Sequence, residues 1–86
     1  MYIIKCFNEG EEFYKIGKTF KDVEARFKNK EKMPYMWEII KVIHGNALQI
    51  SELENKLQQL NKEFKYIPKI DFGGKYECFS KVEHIV

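Results

Sequence analysis

Apolar residues follow a period of two in some stretches of this chain and steps of three and four in others. Tyr2-Ile3-Ile4-Lys5-Cys6-Phe7 is a short, β-favouring run. Asn8-Glu9-Gly10 carries turn chemistry, and Phe13-Tyr14-Lys15-Ile16 resumes the extended pattern until Gly17. Together these runs predict a β-hairpin. Thr19 then starts a helix, with Asp22 three residues on as a weak capping box. Phe20, Val23 and Phe27 mark its buried stripe, and Arg26 lies beside that stripe. Met33-Pro34-Tyr35 ends this region, because a proline disfavours helix in the residue before it. Residues 36 to 43 read as a third strand. Gly45-Asn46 breaks it, and Asn46 is placed to cap the next helix. Ile50, Leu53, Leu57, Leu60 and Phe64 give that helix the clearest period in the chain, up to about Lys65. Beyond Pro68 and Gly73-Gly74, residues 76 to 79 return as an extended segment. Ser80-Lys81-Val82-Glu83 has the form of a capping box and predicts a short last helix.

The order is ββαβα with a C-terminal segment, which predicts an α+β fold. Three antiparallel strands near 2–7, 13–16 and 37–43 form one sheet, flanked by helices near 20–30 and 47–65. The 86 residues suit a single small domain, 1–86, with one modest core that the 15% aromatic content helps to fill. No apolar run approaches the ~20 residues that span a bilayer. The first residues carry no basic leader of a secretory signal, so a cytoplasmic location is expected. Cys6 and Cys78 form no Cys-x-x-Cys pair, and with His44 and His84 they lack the close spacing of zinc ligands. Two buried, reduced thiols are the expectation.

The net charge of +2 does not by itself indicate a nucleic-acid binder. Its distribution is more telling. Residues 15 to 32 hold seven basic against three acidic residues, a net of +4, and leave the rest of the chain at −2. Such a basic half suits a phosphate-binding surface; the plainer alternative is a set of solvated helix and loop lysines. Arg26 is the only arginine in a chain that otherwise uses lysine. Its rigid fork of donors fits a phosphate at any relevant pH.

Met1-Tyr2-Ile3-Ile4 followed by Tyr14-Lys15-Ile16-Gly17-Lys18-Thr19 resembles the paired motifs of the GIY-YIG nuclease superfamily. The likeness is to its short branch, common in phages, whose second motif reads Lys-Ile-Gly. Asp22-Val23-Glu24-Ala25-Arg26-Phe27 is similar to that superfamily's arginine helix. Leu53-Glu54-Asn55-Lys56-Leu57 is similar to its glutamate helix, and Glu77-Cys78-Phe79 to the branch's closing Glu-x-Phe segment. The resemblance runs from Tyr2 to about Ser80. The chain departs from the pattern in three places. The glycine that opens the first motif is absent. Lys15 stands in place of the second motif's tyrosine, with Tyr14 one position earlier, and neighbouring strand residues face opposite sides, so only one of the two can face a site. Gln58 stands where related chains often carry a histidine.

The resemblance implies a metal-dependent endonuclease acting on nucleic acid, with DNA the expected substrate. Tyr2, Tyr14, Arg26 and Glu54 are its candidate catalytic residues, and Lys15, Gly17 and Lys18 would contact the nucleic acid. Glu54 would bind Mg²⁺ or Mn²⁺, with waters and substrate completing the shell. Arg26 would hold a non-bridging phosphate oxygen. Tyr2 would position or deprotonate the attacking water; a phenol of pKa ~10 is a poor base unless a cation assists it, and Lys15 or Lys18 could supply that cation. On the helix, Glu54, Gln58 and Asn61 form a polar row at the border of the apolar stripe, where a metal ligand has to be. Glu52 lies on another face, and His44 is expected to be structural or exposed. Glu77 either joins the site or pairs with a lysine. Two other classes stay open: a module of the same fold that binds nucleic acid without cutting, and a regulatory interaction protein. Strong sequence specificity would need a second copy of the chain or a partner protein.

Overall fold

The computed structural model describes residues 1–18, 27 and 33–83. Four strands, β1 (Tyr2–Asn8), β2 (Glu11–Gly17), β3 (Met36–Val42) and β4 (Cys78–Phe79), form one sheet in the order β3-β1-β2-β4. Each neighbouring pair is antiparallel. One α-helix, α1 (Ala47–Leu60), is present among the described residues, and 3₁₀ turns occupy Lys62–Phe64 and Lys75–Glu77. The architecture is α+β. No helix among the described residues is long and apolar enough to cross a membrane.

The hairpin forms where the extended runs flank Glu9-Gly10, with Asn8 opposite Glu11. The Asn8 side chain accepts the Gly10 N–H at 3.0 Å and closes the turn. Because β1 is central, both of its faces are buried, and this explains its nearly unbroken apolar run. On one face Tyr2, Ile4 and Cys6 pack with Phe13, Phe27, Tyr35 and Phe72. On the other, Ile3, Ile16 and Phe79 meet Ile50 and Leu57 of α1. The sheet therefore separates two cores, and α1 covers the second.

The fourth strand is a departure from the three expected. Of the segment read as extended, residues 76 and 77 belong to the 3₁₀ turn at Lys75–Glu77 and only Cys78–Phe79 pair, with Lys15 and Tyr14. The helix expected over 20–30 lies outside the described residues, apart from the buried Phe27. Helix α1 starts as read: Asn46 accepts the Gln49 N–H at 2.9 Å, and the Gln49 side chain returns the bond to the Asn46 N–H. It ends earlier than the apolar period implied. Asn61 is fully buried, and its amide donates to the Leu57 carbonyl at 2.9 Å, so the side chain competes with the backbone ladder.

Residues 80–83 are not helical, contrary to the capping-box reading. The box needs the Ser80 hydroxyl to accept the Glu83 N–H. That N–H instead donates to the Asn61 side chain at 2.9 Å, and the Ser80 hydroxyl donates to the Phe64 carbonyl at 3.2 Å.

Candidate active site

Tyr2 and Gly17 are register partners at one end of the hairpin. Two positions along, Ile4 pairs with Lys15, so Tyr2, Lys15 and Gly17 share one face of the sheet. The Lys15 ammonium donates to the Tyr2 hydroxyl at 2.8 Å and to the Glu77 carboxylate at 3.3 Å. Phe27 stands edge-on against the Tyr2 ring, centroids 5.5 Å apart. The lysine is 1% exposed. Burial alone would pull its ammonium down, but the neighbouring Tyr2 and Glu77 outweigh it and hold the ammonium above its usual range.

Glycine is needed at two points around this ammonium. A Cβ on Gly17 would lie 2.5 Å from the Tyr2 hydroxyl oxygen and 2.8 Å from the Lys15 nitrogen. Space is the requirement at Gly17, since its φ is not in the left-handed region. Gly74 does adopt φ +97°, and a Cβ there would sit 2.7 Å from Lys15 Cε.

Glu54 approaches from α1. It is buried, and its Oε2 has no hydrogen-bond partner among the described residues. The other members of its polar row are engaged: Gln58 donates to the Ile16 carbonyl at 3.4 Å, and Asn61 ties the helix end to Leu57 and Glu83. Burial, joined by the Glu77 carboxylate, raises the Glu54 carboxyl above its usual range; Lys18, Lys15 and the Met1 ammonium offset only part of this. The Met1 ammonium donates to the Ile43 carbonyl at 2.8 Å, and burial lowers it despite Glu54.

The structure thus gathers Tyr2, Lys15 and Gly17 on one face of the sheet and adds Glu77; Glu54, on the helix that covers the other face, is linked to them through the charges of Lys15 and Glu77. Tyr14 is on the other face of β2, opposite Lys5 and Phe79, and does not join them. Of the pair left open by the sequence, Lys15 is the one that shares the face of Tyr2. Lys15 is enclosed rather than offered at the surface as a phosphate ligand. Lys18 is exposed, its ammonium 3.2 Å from the Ser51 hydroxyl. Arg26 and most of the basic stretch lie outside the described residues. His44 and Glu52 are exposed. Cys6 and Cys78 are free, buried thiols, as expected, and burial pushes both up to about 12.

No group of three or more His, Cys, Asp or Glu side chains suited to a metal occurs among the described residues. Glu77 is engaged with Lys15, whereas Glu54 keeps an oxygen with no partner among the described residues. A hard divalent ion suits such an oxygen, since Mg²⁺ is commonly held by one or two carboxylates with water and phosphate filling its remaining positions. An orphaned carboxylate oxygen is also what a cation would satisfy.

A second carboxylate cluster escaped the sequence reading. Glu11 accepts hydrogen bonds from the hydroxyls of Tyr35 and Tyr66 and, at 2.9 Å, from the Lys69 N–H. Burial pushes its carboxyl up, yet these donors prevail and hold it below the usual range. Burial and Glu11 push Tyr35 up to about 12, and Glu11 with burial does the same to Tyr66. The cluster ties the hairpin to two distant loops. Nothing in Glu9-Gly10-Glu11-Glu12 distinguishes Glu11 from its neighbours.

Compared with protein-family models, curated proteins and solved structures, the chain matches none.

Proposed function

We propose that this chain is a metal-dependent endonuclease of the GIY-YIG kind, hydrolysing phosphodiester bonds with DNA as its substrate. The observation that carries the reading is the buried Glu54 Oε2, which has no hydrogen-bond partner among the described residues. A fold gains nothing from leaving a carboxylate oxygen desolvated and unpaired, so such a group points to a ligand. Tyr2 of the first motif and Gly17 of the second are register partners, and the charges of Lys15 and Glu77 reach Glu54; both support the reading.

In this reading Glu54 would hold Mg²⁺ or Mn²⁺, with water and substrate completing the shell. The bound ion supplies charge neutralisation at the phosphate and at the leaving oxygen. Tyr2 orients the attacking water through its hydroxyl, and the Lys15 ammonium fixes that hydroxyl from the other side. Lys18, exposed beside Ser51, contacts the backbone of the nucleic acid, and Arg26 takes a non-bridging oxygen. Tyr2 is 0% exposed, so substrate docking has to open its cover.

That same enclosure favours a second reading, a module that grips nucleic acid without cutting it. The two are separated by incubating the full chain with labelled duplex and single-stranded DNA and RNA, in Mg²⁺, Mn²⁺ or EDTA. Metal-dependent cleavage that Glu54→Gln abolishes supports the nuclease. Salt-sensitive binding with no cleavage in either metal supports the module.

A further inference from the structure

We propose that Glu77 is a positioning residue of this site, holding Lys15 in its charged form and aimed at the hydroxyl of Tyr2. Its catalytic consequence rests on the nuclease reading; the Glu77–Lys15 linkage does not.

The backbone builds this contact. In the β2–β4 register Cys78 lies opposite Lys15, which places Glu77 next to the lysine. Cys78 and Phe79 are both buried, one in each core, so the segment is pinned from both faces of the sheet. Glu77 itself closes a 3₁₀ turn, its N–H donating to the Gly74 carbonyl at 3.0 Å. Only a residue without a Cβ can start that turn, because φ is +97° and Lys15 Cε lies against it. The turn is therefore packed onto the lysine stem, and the carboxylate arrives 3.3 Å from the ammonium.

The energetics separate this pair from a surface ion pair. Exposed pairs contribute little because water screens both partners. Here the lysine side chain is 1% exposed and the glutamate 33%. A buried ammonium needs a counter-charge to stay charged. The ammonium of Lys15 contacts Tyr2 from β1 and Glu77 from the turn, and its charge also reaches Cys6 from β1, Cys78 from β4 and Glu54 from α1. The two thiols stay neutral, since burial pushes them up to about 12. Among the described residues Lys15 forms its ion pair with Glu77 and none with Glu54. Glu77 is left as the carboxylate that hydrogen-bonds the ammonium. Without it the buried ammonium loses the carboxylate it is paired with, so Lys15 should give up its proton more readily and be less firmly aimed at the Tyr2 hydroxyl.

The test uses the full chain and its Glu77→Gln variant, an isosteric change that removes only the charge. The Lys15 side-chain nitrogen is titrated by NMR, its signal assigned from its absence in Lys15→Met. We expect the Lys15 midpoint to fall in Glu77→Gln, and to fall less in Glu77→Asp, which keeps a charge on a shorter stem. In cleavage assays Glu77→Gln should lower kcat by roughly 10- to 100-fold, the scale of a small misplacement. KM should be little changed, and the alkaline limb of the rate profile should move to lower pH. An unchanged Lys15 midpoint overturns the proposal, as does a kcat and pH profile identical to the unmutated chain. A falling midpoint in a chain that cuts nothing upholds the linkage and overturns the nuclease reading.

Discussion

Removing the charge of Glu54 should make the protein more stable while destroying its proposed activity. The carboxylate is buried, and one of its oxygens has no partner among the described residues. A buried polar group left unsatisfied costs about 1–3 kcal/mol, and more when charged. In Glu54→Gln the amide keeps the shape and part of that cost but loses the charge, so a net gain of about 1 kcal/mol is expected at neutral pH. For a domain of this size that raises Tm by about 4–8 °C. The pH dependence has a definite sign. The folded-state carboxyl titrates above its unfolded value, so the folded state holds the proton more tightly. Stability from this group is fully present below the unfolded pKa and is lost as pH rises through the folded one. The variant's advantage should therefore be absent near pH 4 and full near pH 8. Metal should reverse the order, since an ion bound only by the folded state stabilises by about 2.7 kcal/mol at 100 times its Kd. Thermal melts followed by circular dichroism, in EDTA and across a Mg²⁺ series, read all of this. A Glu54→Gln variant no more stable than the unmutated chain at pH 8 in EDTA would refute the reasoning.

Three other perturbations check the frame that holds the site. Leu57, fully buried against the sheet, should cost about 2–5 kcal/mol as Leu57→Ala in urea denaturation, whereas Leu60→Ala, at 43% exposed, should cost under about 1 kcal/mol. Glu11→Gln should destabilise by about 2 kcal/mol at neutral pH by weakening the bonds from Tyr35, Tyr66 and Lys69. Because the Glu11 carboxyl is held below its usual range, that contribution is present above the unfolded pKa and lost as pH falls through the folded one, so unmutated and variant melts should converge in acid. Gly17→Ala drives a methyl group against the Tyr2 hydroxyl and should cost about 1–3 kcal/mol of stability, with a displaced Tyr2 ring visible in the aromatic NMR spectrum.

What was legible in the sequence was local. Strands β1, β2 and β3 lie where the extended runs placed them, and Asn46 caps α1 through the predicted contact. The buried face of α1 was only half legible. Ile50 and Leu57 point inward as their period implied, but Leu60 is exposed while Asn61 and Glu54 are buried. The helix is wedged against the segment at residues 80–83, where Asn61 finds a backbone donor, and hydrophobicity alone does not register such a corner. Contacts between distant residues were not legible. Lys15 is buried because Glu77, 62 residues away, accompanies it. Glu11 draws its donors from 24, 55 and 58 residues away. The two-residue pairing of β4 depends on the same long return of the chain. Tyr2 and Glu54 were readable as candidates through the resemblance, and the burial of both emerged only with the fold.

The central claim is that Tyr2 and Glu54 serve one reaction, and a double-mutant cycle on metal-dependent cleavage tests it most directly. Single-turnover rates would be measured for the unmutated chain, Tyr2→Phe, Glu54→Gln and the double variant, each shown to be folded. Residues that act as a unit are strongly non-additive, so the double variant should be no slower than the slower single variant. Losses that simply multiply, or a Tyr2→Phe variant that cuts at the unmutated rate, would contradict the account.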